Sequence, residues 1–314
     1  MRAVAVKRFG AEPELLQVPT PEPGPGELLV RVAYAALNPV DRQMADGAVD
    51  GRAAHEFPLV LGVDFAGRVE AVGTGKNRFR VGDPVFGQAM RPPVGAGTFA
   101  EYVAVPQDGP ITVVPDGLDM RTAAMLPTAG MTAAQLLAVT ALRTGQSLLV
   151  IGAAGGVGCC LTQLAAARGV QVVAVVRGDE RRLMSGLGAD VTVDSTAEDV
   201  AGAVRGVRPD GVDAVADLVS DGPGSFTGYA GLVRPGGLAV ATRFAAGSVT
   251  LEGGAEAVGF RLHASSTLLD ALAAAAADGE LQTPVDAELP LEKAPEALAR
   301  SRVEGARGKT VFAL

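Results

Sequence analysis

A short apolar run in the middle of the chain is followed by closely spaced glycines, a pattern that suits phosphate binding. Leu148 to Ile151 predicts a strand buried on both faces of a parallel sheet, and helical spacing of apolar residues continues from Val157 to Arg168. The glycines between and within these segments are Gly152, Gly155, Gly156 and Gly158. Glycine lets backbone N–H groups approach a ligand without a Cβ atom in the way. Strand, turn and helix predict a helix N-terminus that binds a dinucleotide pyrophosphate, although such a turn can also serve close packing alone.

The second strand of this predicted sheet bears on which dinucleotide fits. The run VQVVAVV ends at Val176 and is followed by RGDERR, with Arg177 at the tip of the strand. NAD-binding folds usually place a carboxylate there for the ribose hydroxyls, whereas a 2′-phosphate needs a cation. Arg177, with Arg181 or Arg182, therefore predicts a clamp for that phosphate and NADPH as the cofactor. Two alternatives stay open: Asp179, about 20 residues beyond the glycine turn, is spaced as a ribose-binding acid, and the cluster can be a solvated helix start.

Composition limits the classes of protein to which the chain can belong. Its 314 residues are 48% hydrophobic and 20% charged with a net charge of −8, which suits a globular protein and gives no electrostatic footprint for nucleic acid. No apolar run approaches the roughly 20 residues that span a membrane. The opening MRAVAVKRFG lacks the features of a signal peptide, and the adjacent Cys159 and Cys160 offer no disulfide framework. We expect a cytoplasmic protein that binds neither nucleic acid nor membrane.

Two kinds of pattern divide the chain and predict an α/β fold. Residues 1–120 are rich in Gly, Pro and short β-like runs, which predicts a β-rich domain. At 121–259, strands alternate with helical patterns, which predicts βαβ units and a doubly wound parallel sheet. At 260–314 an alanine-rich helix, a second helix and a final strand, Lys309 to Ala313, are expected to return to the first domain.

Seven stretches carry a family pattern that spans nearly the whole chain. They are ALNPVDRQMADG (36–47), FPLVLGVDFAGRVEAVGTGKNRFRVGDPVFG (57–87), GTFAEYVAVP (97–106), MLPTAGMTAAQLL (125–137), SLLVIGAAGGVG (147–158), LVRPGGLAV (232–240) and GKTVF (308–312). In this order they resemble the zinc-independent quinone oxidoreductase branch, which includes zeta-crystallin, of the medium-chain dehydrogenase/reductase superfamily. The resemblance implies a GroES-like catalytic domain split between 1–120 and 260–314, a Rossmann NADP-binding domain at 121–259, and a homodimer.

The positions at which zinc-binding members of the superfamily hold their metal are changed in this sequence. Asn38 stands where the first ligand cysteine is expected, and GVD at 62–64 replaces a Gly-His-Glu run. The two adjacent cysteines would project about 100° apart from one helix, which is poor geometry for chelation. His55 and His263 are the remaining histidines, so no metal site is expected.

The resemblance also assigns cofactor contacts residue by residue. Thr128 matches a position that faces the nicotinamide, and the segment from Thr242 to Phe244 matches one near the nicotinamide ribose. The pyrophosphate turn is matched by Gly155, Gly156 and Val157. Ser195 stands about where many relatives have a tyrosine against the adenine, so that contact lacks its usual partner here.

The chemistry expected of this family is hydride transfer without a metal. Negative charge develops on the acceptor's oxygen, where protein donors, water or the cofactor's ribose must stabilise it. Quinones and α,β-unsaturated carbonyls (enones and enoyl compounds) spread that charge themselves, so the expected function is an NADPH-dependent reductase of these small molecules. Two alternatives stay open: an enoyl reductase of one biosynthetic pathway, and a non-catalytic NADPH-binding structural or interaction protein.

Two polar residues are candidates for the catalytic site. Asn38 matches the family's asparagine and is expected to donate to the acceptor oxygen or to orient the nicotinamide; alternatively its amide bonds local backbone before Pro39. His55 is a candidate proton donor because imidazole titrates near neutral pH, although a lone loop histidine is more often solvated or packed. Asp41 and Asp64 match positions that hold loops by hydrogen bonds.

Overall fold

The computed structural model describes residues 1–75, 77–243, 246, 249–301, 305 and 307–314. The chain forms two compact units, one made of Met1–Thr128 with Ala264–Leu314 and the other of Ala129–His263. Among the described residues, no helix is both long enough and apolar enough to cross a membrane.

Short strands outnumber helices in the first unit, whereas the second alternates the two. The strands are β1 Arg2–Val6, β2 Glu14–Gln17, β3 Glu27–Ala36, β4 Leu59–Val60, β5 Asp64–Val72, β6 Pro84–Gln88, β7 Tyr102–Pro106, β8 Ile111–Val113, β9 Ser147–Ile151, β10 Gln171–Val176, β11 Val191–Asp194, β12 Val212–Asp217, β13 Val233–Ala241, β14 Glu256–Gly259, β15 Val285–Pro290 and β16 Lys309–Ala313. The helices are α1 Pro39–Ala45, α2 Met120–Met125, α3 Pro127–Thr140, α4 Gly156–Ala167, α5 Arg181–Gly186, α6 Val200–Val207, α7 Pro223–Ala230, α8 Ser266–Ala277 and α9 Ala294–Arg300.

The first unit is built on two sheets. One has the order β2-β1-β4, and the other runs β15-β16-β3-β5-β6-β8 with β7 also paired to β3. Strand β16 pairs antiparallel with β3, with Val311 opposite Ala36, so the C-terminal segment completes the sheet of the N-terminal one. Behind these strands, the rings of Phe99 and Phe312 meet edge to face with centroids 4.9 Å apart, and both side chains are fully buried. The predicted return of the final strand to the first domain is confirmed.

The second unit is a parallel sheet with helices in its connections. Its strand order is β11-β10-β9-β12-β13-β14, and every pairing in it is parallel. Numbered within the unit, this order is 3-2-1-4-5-6, the doubly wound Rossmann arrangement. The order reverses between β9 and β12, and ligands of such sheets bind at the carboxyl ends of the strands at this point. The predicted α/β class with a doubly wound sheet is confirmed.

Candidate functional site

The glycine turn lies at the carboxyl end of β9, at the point where the strand order reverses. Gly152 has a φ of +82°, and a Cβ atom there would lie 2.5 Å from Cγ1 of Val219, which follows β12. A Cβ atom on Gly158 would lie 2.5 Å from both Cα and the carbonyl oxygen of Ala153. Real Cβ atoms do not approach other heavy atoms this closely. Both glycines are therefore required for α4 to start directly after β9.

The first turn of α4 has the features of an anion-binding site. Gly155 is the N-cap and brings no side chain to cap the helix, so the first N–H groups, those of Gly156, Val157 and Gly158, have no intrahelical acceptor. Gly155, Gly156 and Val157 are half-buried, which leaves the turn open to a ligand. The positive end of the helix dipole adds to the attraction for a phosphate. The residues of this turn therefore fit a dinucleotide pyrophosphate.

Arginines surround the carboxyl end of β10. Arg177, directly after this strand, is exposed, as are Arg181 and Arg182 at the start of α5. Arg181 pairs with Glu198 at 3.1 Å, whereas Arg177 and Arg182 form no ion pair with any residue that the structure describes. An exposed guanidinium without an ion-pair partner at this tip can bind a phosphate.

Two further candidate residues, Ser195 and Thr242, are hydrogen-bonded to the carboxyl ends of neighbouring strands at the same edge of the sheet. Both the backbone N–H and the hydroxyl of Ser195 donate to the carbonyl of Val176, at 2.9 and 2.8 Å, so Ser195 lies beside the tip of β10. The N–H and the hydroxyl of Thr242 likewise donate to the carbonyl of Asp217, at 3.1 Å each, beside the end of β12. Phe244, the other residue predicted near the nicotinamide ribose, lies outside the described residues.

The first unit contains a buried polar network centred on Asp64. Its Oδ1 accepts from the hydroxyl of Thr128 at 2.6 Å, and its Oδ2 accepts from Nδ2 of Asn38 at 2.9 Å and from the backbone N–H of Thr128 at 3.1 Å. The Lys309 ammonium, 5% exposed, donates to Oδ1 of Asn38 at 2.6 Å and to the carbonyl of Leu37 at 2.8 Å. This network joins β5, the start of α3 and the final strand of the chain.

The amide of Asn38 is fully used within this network. One N–H goes to Asp64 and the other to the carbonyl of Ala36 at 3.2 Å, while its oxygen accepts from Lys309. Its backbone N–H donates to Oδ2 of Asp41 at 2.7 Å, and Pro39 begins α1. Asn38 is 4% exposed. The bond to Ala36 is the local backbone contact expected of an asparagine before proline. Because both amide hydrogens are used, the side chain holds its neighbours in place and has no hydrogen left to donate to a ligand.

Two buried carboxyl groups share this region, and both are harder to ionise than in water. Burial raises the pKa of Asp41 to about 8, an effect that the nearby charge of Asp64 increases and the N–H of Asn38 and the Lys309 ammonium oppose. Burial also raises the pKa of Asp64, against the charge of Lys309 and the hydrogen bonds from Thr128 and Asn38. The lysine thus supplies the positive charge that lets a carboxylate exist here.

His55 lies in a different cluster from Asn38. Its ring packs against Phe9 and Phe57, with centroids 4.7 and 5.4 Å away, and its Nδ1 is 3.2 Å from the carbonyl of Ala53. Within the part of the chain that the structure describes, no hydrogen bond or ring contact joins His55 to the Asp64 network. Its role as a proton donor stays a prediction.

The donor set near Asn38 does not suit a divalent metal. Among the described residues, no three His, Cys, Asp or Glu side chains form a group able to hold a metal ion. Asn38 and Asp64, at positions where zinc-binding relatives are expected to carry metal-site residues, are bound to each other, and the Lys309 ammonium already contacts Asn38. A fixed positive charge at this place disfavours a second cation.

Sequence patterns did not single out Lys309 or Gln88 as site residues. Lys309 opens the predicted final strand, and only the pairing of that strand with β3 brings it to Asn38. Gln88 ends β6, and its Nε2 donates to the Thr128 hydroxyl at 2.7 Å. The one signal that could have singled out Lys309 is that it is the only charged residue of the closing strand, KTVFA.

Comparisons with known proteins match both units. Residues 24–116 match the family model for an alcohol dehydrogenase GroES-like domain, and residues 187–312 match that for a zinc-binding dehydrogenase. The chain is 30% identical to a chloroplast envelope quinone oxidoreductase homolog of Arabidopsis thaliana, over 99% of this chain and 98% of that protein. It is 31% identical to the chloroplastic NADPH-dependent alkenal/one oxidoreductase of the same plant, over 93% of this chain and 73% of that protein. The solved structure of the quinone oxidoreductase from Coxiella burnetii matches 100% of this chain and 99% of its own with a TM-score of 0.89, at 28% identity.

A GroES-like domain together with a Rossmann sheet defines an oxidoreductase of the two-domain dehydrogenase class. The chain belongs to the medium-chain dehydrogenase/reductase superfamily, and its relatives include quinone oxidoreductases. The resemblance found in the sequence is therefore confirmed.

Proposed function

We propose that this chain is an NADPH-dependent, zinc-independent reductase that transfers hydride to a quinone or to an α,β-unsaturated carbonyl compound. The unit made of Met1–Thr128 and Ala264–Leu314 is then the catalytic domain, and Ala129–His263 is the NADP-binding domain. Relatives named as a quinone oxidoreductase homolog and as an alkenal/one oxidoreductase support this class of substrate.

The observation that carries the proposal is the Lys309 ammonium bound to Asn38, where a metal-dependent relative would hold its zinc. A lysine at that position supplies no Lewis acid, and its charge is engaged with buried oxygens. An acceptor that delocalises its own negative charge needs the least help from the protein. Quinones and enones have this property, whereas a simple ketone does not.

The proposed cofactor site follows the carboxyl edge of the Rossmann sheet. The N–H groups of the α4 first turn bind the pyrophosphate, Arg177 with Arg181 or Arg182 binds the 2′-phosphate, and Ser195 borders the adenine side. Thr242 contacts the nicotinamide ribose, and Thr128 contacts the nicotinamide. Bound NADPH supplies the hydride for an electrophilic carbon. Because both N–H groups of Asn38 are already donated, we assign it the second of its predicted roles, which is to orient the nicotinamide by fixing Asp64 and Thr128.

The test of this function is a turnover assay with a panel of acceptors. NADPH oxidation is followed by absorbance with simple quinones, linear enones, enoyl thioesters and saturated ketones. We expect turnover of quinones or enones and none of saturated ketones, with activity unchanged by a chelator. Tight binding of NADPH with no turnover of any acceptor would instead favour a non-catalytic protein, and turnover of one thioester alone would favour a pathway-specific enoyl reductase.

A substitution at Arg177 provides a separate test of the preference for NADPH over NADH. Arg177→Ala is expected to raise the Kd for NADPH by about 10- to 100-fold and to leave that for NADH nearly unchanged, because only NADPH carries the 2′-phosphate that the guanidinium binds. Both constants are measured by fluorescence titration. Arg205→Ala is the control, since Arg205 is another exposed arginine of the same unit, in the last turn of α6. Equal changes for the two nucleotides in Arg177→Ala would contradict the assignment.

A further inference from the structure

A pocket of about 180 Å³ lies within the first unit, and one of its lining residues, Gln88, is hydrogen-bonded to Thr128 of the Asp64 network. Its walls are mostly apolar and include Met44, Val63, Ala89, Val94 and Pro110. Two of its lining side chains, Gln88 and Arg91, are polar, and Arg91 pairs with Glu27. Gln88 is 8% exposed, and its carboxamide is the one uncharged polar side-chain group among the residues that line the pocket.

The network fixes which way the carboxamide of Gln88 points. The Thr128 hydroxyl gives its single hydrogen to Oδ1 of Asp64, at 2.6 Å. The Thr128 oxygen can then only accept, and the group 2.7 Å away on Gln88 must be the donor Nε2. The amide orientation is thus set by the hydrogen-bond chain that begins at the carboxylate.

This orientation leaves one acceptor without a partner. Oε1 of Gln88 accepts no hydrogen bond from any residue that the structure describes. This oxygen loses its hydrogen bond to water once a ligand covers it. A ligand that brings a hydroxyl or N–H group to this atom avoids that loss, and an otherwise equal ligand without one does not.

We propose that Gln88 is a specificity-determining residue and that this pocket takes aromatic quinones or enones carrying a hydroxyl group, whose O–H donates to Oε1 of Gln88. The proposal rests on the proposed function, since it names a substrate class for that reaction. Gln88 lines the pocket and donates to Thr128, the residue proposed to contact the nicotinamide, so it links the pocket to that residue within this unit.

The test uses three acceptors of similar shape: benzylideneacetone and its para-hydroxy and para-methoxy derivatives. We expect kcat/KM of the parent to favour the hydroxy over the methoxy compound by about tenfold or more. In Gln88→Met, which keeps the length of the side chain and removes the acceptor, this ratio is expected to fall to near one. Comparing the ratio between two proteins cancels the electronic difference between the compounds. Gln17→Met, at an exposed position of β2, is the control and is expected to keep the parent ratio.

The outcomes separate this proposal from the function on which it rests. No preference in the parent, or a ratio that is the same in Gln88→Met, overturns the role of Gln88 even if all acceptors are turned over. A parent preference for the methoxy compound that Gln88→Met abolishes overturns it as well, because the carboxamide then points the other way. If no acceptor is turned over, the proposed function fails. Calorimetric titration then tests the pocket separately, because the ratio of the Kd values of the methoxy and hydroxy compounds is still expected to be about ten or more in the parent and near one in Gln88→Met.

Discussion

Replacing Lys309 with methionine is expected to lower the free energy of unfolding by about 3–5 kcal/mol at neutral pH, a value typical of removing one partner from a buried charged group. The ammonium donates to the carbonyl of Leu37 and to Asn38, and its charge opposes the rise in the pKa of both Asp41 and Asp64. Methionine fills a similar volume but supplies neither the hydrogen bonds nor the charge. The two carboxyl groups are then left in a buried site without a cation.

The loss is expected to grow with pH. A carboxyl whose pKa is higher in the folded than in the unfolded protein keeps its proton on folding, so its presence costs least at low pH and stability falls as pH rises toward the folded pKa. Burial already raises the pKa of Asp41 to about 8 in the parent. Without Lys309, the pKa of Asp64 also rises further. Above the unfolded pKa of roughly 4, the free energy of unfolding then falls more steeply with pH than in the parent. The additional slope is at most about 1.4 kcal/mol per pH unit for each additional proton that the folded variant holds.

The measurement is urea unfolding of parent and variant at about pH 5 and about pH 8. Lys293→Met serves as the control, because Lys293 is half exposed and its one ion pair among the described residues is with Glu296 on the surface, a type of pair worth about 0–1 kcal/mol. Addition of Asp64→Asn to Lys309→Met is expected to restore part of the stability at high pH. A Lys309→Met loss that is the same at both pH values would show that the lysine acts through packing and not through its charge.

A single added methyl group at Gly158 is expected to abolish tight binding of the dinucleotide. In Gly158→Ala the new Cβ would lie 2.5 Å from two backbone atoms of Ala153, so either the turn or the first turn of α4 must move. The N–H groups that the phosphate requires move with it, and each charge-assisted bond lost costs about tenfold or more in affinity. We expect the Kd for NADPH to rise by about 100-fold and stability to fall by about 1–3 kcal/mol.

Fluorescence titration with NADPH and thermal unfolding together check the Gly158 prediction. Gly206→Ala is the matched control: Gly206 lies inside α6 of the same unit, no atom lies within 4 Å of its added Cβ, and its φ is not positive. Alanine is expected to be neutral or slightly stabilising there. If Gly158→Ala bound NADPH as tightly as the parent, the α4 N-terminus would not be the pyrophosphate site.

Local patterns predicted the second unit well because its elements are defined by contiguous residues. The apolar run before the glycines became β9, and the helical spacing from Val157 to Arg168 became α4 at Gly156–Ala167. Helix α1 was not predicted, although Pro39 opens it and Oδ2 of Asp41 accepts from the N–H of Asn38. Asparagine before proline is also a turn signal, and the seven residues of α1 are too few to show a clear period.

The site network was harder to predict because its members are far apart in sequence. Asp64, Thr128 and Lys309 lie on three elements, and only the pairing of β16 with β3 brings the lysine to Asn38. Spacing rules describe residues on one element, so they carry no signal for such contacts. The family pattern predicted site roles for Asn38 and Thr128, which stay predictions, but it did not predict that the amide of Asn38 is fully engaged.

The placement of Lys309 on the final strand has a consequence for the order of events during synthesis. Residues 129–263 are contiguous and contain every strand of their own sheet, so this part has all its partners as soon as it leaves the ribosome. Residues 1–128 are synthesised first, but their sheet stays incomplete until β16 has been synthesised and pairs with β3. Until then Asp41 and Asp64 have no lysine to offset their charge. The contiguous unit Ala129–His263 is thus expected to fold before the unit whose larger part was translated ahead of it.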